Sequence, residues 1–338
     1  MRISILTHPL GANYGGILQA FALSKYLHNQ GHEVFVLNRN ADMPFLKRVI
    51  KAVMVKLRHP RYNNPRYNHL VRFVKQHIHY SKPLYTTAQM TDFVQRNKIQ
   101  VCIVGSDQVW RADFAMNYGY DYFLGFVPKG AKRLAYAASF CISEWNYNLE
   151  QTRKIICLLH DFVAISVREE NGVKLCLEHT GIEAEHVLDP TMLLRAEDYA
   201  SITNPRIEPD DYVFVYWLGS ADEKQKAIDT AVIDGKKIID ISLRGRGTLM
   251  PIEDWLSYIK YAEYVITDSF HGCVFSILFQ KQFTIFSNNS GGNGRLKSLF
   301  NMLHINPNEK TINYSLVGVR LNELRNKSCS FLLQSLQK

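Results

Sequence analysis

The sequence predicts an α/β protein made of two units, each built on a parallel sheet. The chain opens with an apolar strand, a Gly-containing loop, a helix and a second strand, which is the βαβ order of a parallel sheet. A new alternation of strands and helices begins near residue 211. With 338 residues, 46% of them hydrophobic and 21% charged, the chain can form two domains with their own cores. We therefore predict domains at 1–205 and 206–338.

The first unit starts with a short apolar strand at residues 2–7. In the helix after it, apolar residues recur at roughly helical spacing from Ile17 to Leu27, and Gly31 follows where a C-terminal cap is expected. The other strands predicted in this unit are residues 33–38, 101–104, 133–137 and 162–167.

The second unit contains four further apolar runs. They are YVFVYWLG, KKIIDIS, EYVIT and FTIFS. Helices are predicted at PIEDWLSYIKYA, after His271 and at residues 316–337. In both units polar, Gly-containing loops follow the strand ends, where open parallel sheets bind ligands. These loops are GANYGG (11–16), GSDQVWR (105–111), SVREENG (166–172), DSFHG (268–272) and NNSGGNGR (288–295).

The loop DSFHG joins a predicted strand to an apolar helix. Asp268 and Ser269 have the side chains that cap a helix N-terminus, and a capping role explains them as well as a functional one. His271 is not a favoured cap. A helix N-terminus at Gly272 offers N–H donors to a phosphate or carboxylate, and a histidine there can donate to that anion or move a proton. A partly buried structural histidine is the alternative.

The loop GSDQVWR has the same layout after the strand VCIV. Gly105 permits a tight turn, Asp107 could orient a sugar hydroxyl or act as a base, and Trp110 could stack on a sugar ring. A capped helix with a core tryptophan explains the pattern equally well.

Two arginines follow predicted strands. Arg168 ends an apolar strand, where a guanidinium suits bidentate binding of a carboxylate or phosphate. An ion pair with Glu169, Glu170 or another acid is the alternative. Arg295 ends the Gly-rich loop and could close over an anion, although a solvent loop gives the same pattern.

Several classes of protein are disfavoured. The loop GANYGG does not match the dinucleotide fingerprint, and the chain has no Walker loop, no H-E-x-x-H and no G-x-S-x-G. The N-terminus does not have the pattern of a signal peptide. The six cysteines are widely spaced and form no C-x-x-C pair, which favours reduced thiols in a cytoplasmic protein and disfavours a metal site or disulfide framework.

Positive charge is concentrated at residues 43–99, the basic arm. This segment has twelve Lys or Arg and one acid, Asp92, so it carries +11 while the rest of the chain sums to −2. Within it, residues 46–62 alternate apolar and cationic side chains, the pattern of a helix on an anionic membrane. An arm packed on its own domain with a solvated charged face is the alternative. Nucleic acid is a less favoured partner, because no nucleic-acid module accompanies the charge.

Five stretches together resemble the polysaccharide pyruvyl transferase family. They are NYGGILQAFAL, VGSDQVW, ISVREENG, VLDPTMLL and ITDSFHG, in order from about residue 3 to about residue 300. The resemblance implies two Rossmann-like domains that face each other across a cleft, as in GT-B glycosyltransferases. It also implies that pyruvate is transferred from phosphoenolpyruvate onto two hydroxyls of a sugar in a surface polysaccharide or lipid-linked precursor, forming a ketal.

The resemblance assigns roles to residues that would bind phosphoenolpyruvate, in the second domain and, with Arg168, at a strand end of the first. His271 matches the late-motif histidine and would be the general acid, and Arg168 would hold the phosphate or carboxylate together with Ser269 and Gly272. Some family members carry an arginine where this chain has Ser269, and we predict that Arg295 replaces it. No metal and no cofactor is implied, because phosphoenolpyruvate is a co-substrate.

The first domain would bind the acceptor sugar. Its candidate residues are Asn13, Tyr14, Ser106, Asp107, Gln108 and Trp110. The basic arm would place the enzyme at the cytoplasmic face of the membrane. Two other functions remain open: a GT-B glycosyltransferase that uses a nucleotide sugar, and a non-catalytic sugar-binding protein.

Overall fold

The computed structural model describes residues 1–11, 13–56, 64–230, 236–242, 249–286, 293–306, 309 and 311–338. The strands of the first sheet are β1 (Arg2–Leu6), β2 (Glu33–Leu37), β3 (Val101–Val104), β4 (Lys132–Ala138), β5 (Phe162–Val167) and β6 (Glu185–His186). The strands of the second sheet are β7 (Tyr212–Trp217), β8 (Lys237–Ser242), β9 (Tyr264–Thr267) and β10 (Gln282–Ile285).

Helices connect these strands. They are α1 (Tyr14–Asn29), α2 (Phe45–Lys56), α3 (Asn68–His77), α4 (Thr87–Arg96), α5 (Ala112–Ala115), α6 (Leu149–Leu159), α7 (Glu170–Thr180), α8 (Ala221–Thr230), α9 (Ile252–Tyr261), α10 (Phe270–Leu278), α11 (Asn293–Leu303) and α12 (Tyr314–Gln337). Short 3₁₀ helices span Pro65–Tyr67, Met116–Tyr118, Asp121–Phe123, Pro190–Met192 and Ala196–Ile202.

Both sheets are parallel. The first has the order β2-β1-β3-β4-β5-β6 and the second the order β10-β9-β7-β8. The carboxyl ends of all strands in one sheet therefore lie at one edge, and the loops after β1, β3, β5 and β9 start from such edges. The prediction of an α/β protein with two Rossmann-like units is confirmed.

The two units share one hydrophobic core, which runs from α1 of the first unit to α9 and α10 of the second. The ring of Tyr14, the first residue of α1, stacks on Trp255 of α9 with centroids 5.3 Å apart. Its hydroxyl donates to the carbonyl of Met250 at 2.9 Å. Aromatic rings that are fully buried contribute large apolar areas, so this contact holds the start of α1 against the second unit.

Helix α12 also contacts the first unit. Ser328 Oγ accepts a hydrogen bond from the backbone N–H of Leu188 at 3.0 Å. Arg325 Nε donates to the carbonyl of Met192 at 2.8 Å. Helix α12 thus binds the first unit near the segment that leads from the first unit to the second.

The predicted strands agree with the observed ones to within two residues, and β6 was not predicted. The helices α3 to α7 and α11 were not predicted individually. Gly31 adopts a left-handed conformation with φ of 79°, as a helix C-terminus requires. Residues 57–63 of the basic arm and 287–292 of the loop NNSGGNGR lie outside the described residues. All six cysteines are free thiols. In the described ranges we find no helix that is both long enough and apolar enough to cross a membrane.

Candidate active site

Four chain segments converge where the carboxyl edges of the two sheets approach each other. They are the start of α1, the loop after β3, the end of β5 and the start of α10. The loops after β1 and β3 are locked together, because Thr7 Oγ1 donates to the carbonyl of Ser106 at 2.8 Å and Gln19 Nε2 donates to Thr7 Oγ1 at 2.9 Å. All three side chains are buried.

Arg168 is the centre of a buried charged cluster. Its Nη1 donates to Asp189 Oδ2 at 2.8 Å and to Ser106 Oγ at 3.1 Å, and its Nη2 lies 3.4 Å from Asp107 Oδ1. Glu169 is more distant, with 4.0 Å between Oε2 and Arg168 Nε. The side chain of Arg168 is 0% exposed, and its guanidinium contacts these carboxylates. The ion pair that the sequence left open as an alternative is present, with Asp189 and Asp107 as the acids.

Asp189 was not predicted as a site residue. Its Oδ2 accepts hydrogen bonds from Arg168 and, at 2.9 Å, from Ser106 Oγ. Its Oδ1 accepts from the backbone N–H and the hydroxyl of Thr191 at 3.0 and 2.7 Å. Burial opposes ionisation, but His271, Arg168 and the Thr191 donors outweigh it and lower the pKa of Asp189 to about 2. Asp189 therefore remains charged at neutral pH.

His271 lies between this cluster and the start of α1. Its Nε2 is 3.8 Å from Asp189 Oδ2, and no described residue offers Nε2 a hydrogen-bond partner. Burial lowers the pKa of His271 to about 4, with Asp189 and Asp107 acting in the opposite direction. The ring leaves no space at Gly15, where a Cβ would come within 2.0 Å of Nδ1. Gly15 is needed because the two units approach closely at this histidine.

We expect Gly15→Ala to destabilise the protein by about 1–3 kcal/mol, because the added methyl group must displace the buried imidazole. Urea unfolding followed by circular dichroism measures the free energy of unfolding. Gly318→Ala is the matched control, since Gly318 is also helical and a Cβ there meets nothing within 4 Å. The control should gain up to about 1 kcal/mol from helix propensity. Equal effects of the two substitutions would contradict the close approach at His271.

Asp107 faces the same space from the first unit. Its backbone is left-handed, with φ of 81°, a conformation that Asp tolerates better than most residues. Its Oδ1 accepts from the backbone N–H of Gln108 at 3.0 Å. Burial raises the pKa of its carboxyl, but Arg168 and the neighbouring His8, His271 and Arg295 outweigh burial and lower it. Asp107 is thus a carboxylate held at the edge of the cluster.

Ser269 and Gly272 have structural roles at the start of α10. Ser269 Oγ accepts from the backbone N–H of Gly272 at 3.3 Å, so Ser269 is the N-cap and that N–H is occupied. A Cβ on Gly272 would lie 2.5 Å from Thr267 Oγ1. Asp268 accepts from the N–H groups of Leu218 and Gly219, both at 2.7 Å. The capping interpretation of this loop therefore holds for Ser269, and Asp268 instead fixes the loop after β7.

Two N–H groups at this helix start are without an acceptor among the described residues, those of Phe270 and His271. Arg295 approaches the same point from the first turn of α11, with its guanidinium carbon 5.5 Å from the centroid of the Phe270 ring. In the described chain no carboxylate oxygen lies within 4 Å of Arg295, and its buried Nε has no hydrogen-bond partner. Burial and the charge of Arg168 lower the pKa of Arg295. The helix start and Arg295 together form a cationic position.

A cavity of about 240 Å³ opens on the first-unit side of Asp107. Its lining includes Asn13, Gln108 and His8. Asn13 is the N-cap of α1, and its Oδ1 accepts from the backbone N–H of Gly16 at 3.1 Å. His8 was not predicted; its Nδ1 is 3.3 Å from the hydroxyl of Tyr122, and its Nε2 has no partner in the described chain. Asn13 and Gln108 thus line an open cavity beside Asp107.

Three of the predicted acceptor residues do not face this cavity. Trp110 is 0% exposed, stacks on Phe123 and donates its indole N–H to the carbonyl of Tyr122, so it is a core residue. Tyr14 is buried between the units, and Ser106 belongs to the cluster around Arg168. The sequence pattern did not reveal these positions, because a strand end in an α/β protein buries aromatic and polar side chains as readily as it exposes them.

The family comparison gives one match. A family model described as polysaccharide pyruvyl transferase matches residues 13–290. The comparison with curated proteins finds no match.

Solved structures with the same fold have low sequence identity. The putative UDP-N-acetylglucosamine 2-epimerase of Listeria monocytogenes aligns with a TM-score of 0.52 at 8% identity, covering 99% of this chain and 90% of that one. The UDP-GlcNAc 2-epimerase of Methanocaldococcus jannaschii gives 0.51 at 13%, covering 100% and 99%. That of Neisseria meningitidis, bound to UDP-GlcNAc, gives 0.51 at 10%, covering 100% of both chains. These likenesses confirm the predicted GT-B-like fold.

Proposed function

The chain belongs to the polysaccharide pyruvyl transferase family, and on this basis we propose that it transfers the pyruvyl group of phosphoenolpyruvate onto two hydroxyls of a sugar, forming a ketal. The proposed acceptor is a sugar of a surface polysaccharide or of its lipid-linked precursor. One observation supports the proposal beyond family membership: His271 lies beside a cationic position, formed by the start of α10 and Arg295, and no described carboxylate lies within 4 Å of Arg295. Phosphoenolpyruvate carries a phosphate and a carboxylate, and both need such a position.

The start of α10 supplies donors suited to the anionic co-substrate. The free N–H groups of Phe270 and His271 are at the positive end of the helix dipole, and Arg295 adds a charge-assisted donor. Arg168 acts differently, because its charge is balanced by Asp189 and Asp107. It fixes the two carboxylates and leaves Arg295 as the cation for the donor.

The proposed reaction requires two carbon–oxygen bonds to form at C2 and one to break. C3 gains a proton, which gives C2 oxocarbenium character, and a sugar hydroxyl attacks C2. Phosphate then leaves with the electrons of its bond to C2, and the second hydroxyl closes the ring. Of the two hydroxyl protons released, one replaces the proton delivered to C3 and the other leaves with the phosphate.

His271 and Asp107 are the proposed acid and base. His271 lies at the anion position, so its imidazole delivers the proton to C3 or to the departing phosphate. Asp107 lies between that position and the cavity lined by Asn13 and Gln108, where its carboxylate accepts the proton of an attacking hydroxyl. The lowered pKa of Asp107 keeps it ionised, as a base must be.

We expect Arg295→Met to raise the KM for phosphoenolpyruvate about 10- to 100-fold, which corresponds to the loss of one charge-assisted hydrogen bond. The free energy of unfolding should change by less than about 1 kcal/mol, because Arg295 has no acid partner within 4 Å in the described chain and is repelled by Arg168. Steady-state kinetics and urea unfolding measure the two quantities.

Arg111→Met is the matched control, since Arg111 forms a more exposed pair with Asp113 at 2.9 Å. Its KM should equal that of the wild type. A destabilisation of Arg295→Met by more than about 2 kcal/mol, or an unchanged KM, would contradict the assignment of Arg295 to the donor.

The function itself is tested by phosphate release from phosphoenolpyruvate with a panel of galactosides, glucosides and mannosides as acceptors. Release that depends on an acceptor supports the proposal. No release, together with a melting temperature that shifts with nucleotide sugars and not with phosphoenolpyruvate, would replace it with a glycosyltransferase. Binding of an acceptor with neither donor consumed would indicate a sugar-binding protein.

A further inference from the structure

Helix α2, which lies in the basic arm, has its cationic side toward the protein and its apolar side outward. Arg48 and Lys51, on one side of the helix, pack toward the protein: the guanidinium carbon of Arg48 is 5.0 Å and the ammonium of Lys51 is 5.9 Å from the centroid of the Tyr85 ring. Arg48 Nε also donates to the carbonyl of Met43 at 2.6 Å. The backbone of Tyr85 is held in place, because its N–H donates to Gln89 Oε1 at 2.7 Å. A cationic side of α2 thus faces the body of the protein.

The opposite side of α2 is apolar and exposed. Leu46 is 70% exposed, Val49 42%, Ile50 44% and Val53 50%. At 3.6 residues per turn these four side chains fall within an arc of roughly 100°, on the side away from Arg48 and Lys51. We call this surface the apolar stripe. Soluble helices usually pack such a stripe on the core, so an outward stripe indicates a binding surface.

Exposed cations border the apolar stripe. Lys47 and Lys56 are exposed on its two sides, and α2 contains no acidic residue. Long lysine side chains can reach phosphate groups while the helix lies lower among acyl chains. The stripe is much smaller than the roughly 800 Å² that each partner buries in a stable protein complex. Charge and size therefore favour an anionic bilayer over a second protein.

We propose that α2 docks the protein on an anionic membrane, with the apolar stripe among the acyl chains and Lys47 and Lys56 on the phosphate headgroups. Helix α2 follows the carboxyl end of β2, and β2 pairs with β1, whose own carboxyl end leads into the candidate active site. Where the proposed function holds, docking brings the acceptor cavity to the membrane surface that carries a lipid-linked sugar. This consequence rests on the proposed function, whereas docking itself does not.

The test is co-sedimentation of the full chain with vesicles of phosphatidylcholine alone and with vesicles in which a third of the lipid is phosphatidylglycerol. We expect the partition coefficient to be at least about tenfold higher for the anionic vesicles and to fall at about 0.5 M salt, where charges are screened. Leu46→Glu should lower it about tenfold or more. Leu316→Glu is the matched control, because Leu316 is 69% exposed on α12, and it should bind as the wild type does.

Equal binding to the neutral and the anionic vesicles would overturn the proposal. So would an equal loss of vesicle binding in Leu46→Glu and Leu316→Glu. So would a wild-type dimer that Leu46→Glu converts to a monomer, since the stripe would then join two copies of the chain. Phosphate release from phosphoenolpyruvate in the presence of soluble acceptors, measured on the same samples, separates this outcome from failure of the proposed function. A variant that loses vesicle binding should retain its rate with soluble acceptors.

Discussion

Replacing His271 with asparagine is expected to lower acceptor-dependent phosphate release by about 10²- to 10⁴-fold, the range contributed by a positioned general acid. The buried imidazole belongs to the same first turn of α10 as the free N–H groups of Phe270 and His271. The substitution should affect the free energy of unfolding less than the rate, because Nε2 of His271 forms no hydrogen bond in the described chain. Initial rates at saturating phosphoenolpyruvate measure the effect. His28→Asn, at an exposed histidine, is the matched control and should keep its rate.

Protonation of His271 must be coupled to binding of the donor. Because burial lowers its pKa to about 4, the imidazole is neutral in the free protein at pH 7 and cannot yet act as an acid. A bound phosphate and carboxylate favour the imidazolium and raise that pKa. We therefore expect phosphoenolpyruvate to bind with uptake of protons at pH 7, and its affinity to fall as pH rises through the raised pKa.

Calorimetric titrations in buffers with different ionisation enthalpies measure this uptake. The His271→Asn variant should take up fewer protons than the wild type while still binding phosphoenolpyruvate. If the two proteins take up the same number, another group carries the proton. If the variant keeps the wild-type rate, His271 is a structural histidine, which is the alternative that its sequence pattern left open.

The order of strands, loops and helices in the sequence is sufficient to predict which loops meet at the candidate site. A parallel sheet places its carboxyl ends at one edge, so the loops at 105–111 and 268–272 were expected there. Pattern alone does not reveal which side chains of a loop face the ligand. Trp110 and Asp107 come from the same loop, yet only Asp107 reaches the cavity.

Contacts between distant segments account for most of what the sequence did not reveal. The need for glycine at position 15 arises from His271, which belongs to the other unit. Arg168 was predicted to bind an anion, with an ion pair as the alternative, and the acids that it contacts come from the loops after β3 and β6. Asp189 did carry a signal: an acid inside the apolar run VLDPTMLL, where a buried carboxylate requires a partner.

Removal of Asp189 is expected to have the largest effect on stability. Asp189→Ala leaves the fully buried guanidinium of Arg168 with the neutral Ser106 hydroxyl and the more distant carboxylates of Asp107 and Glu169, at 3.4 and 4.0 Å. Breaking a buried ion pair in this way costs about 3–5 kcal/mol. Urea unfolding followed by tryptophan fluorescence measures the loss. Asp113→Ala is the matched control, because Asp113 pairs with Arg111 at an exposed position and should cost less than about 1 kcal/mol.

A double-mutant cycle measures the interaction between Asp189 and Arg168 separately from the effect that each substitution has on packing. Asp189→Ala with Arg168→Met removes both charges of the closest pair, so the double variant should be more stable than the sum of the two single losses predicts. Additive losses would mean that the two residues do not interact. A loss for Asp189→Ala no larger than that of the control would mean that Asp189 is not needed to balance Arg168. Arg168 would then be free to serve as the anion-binding residue that its place at a strand end first indicated.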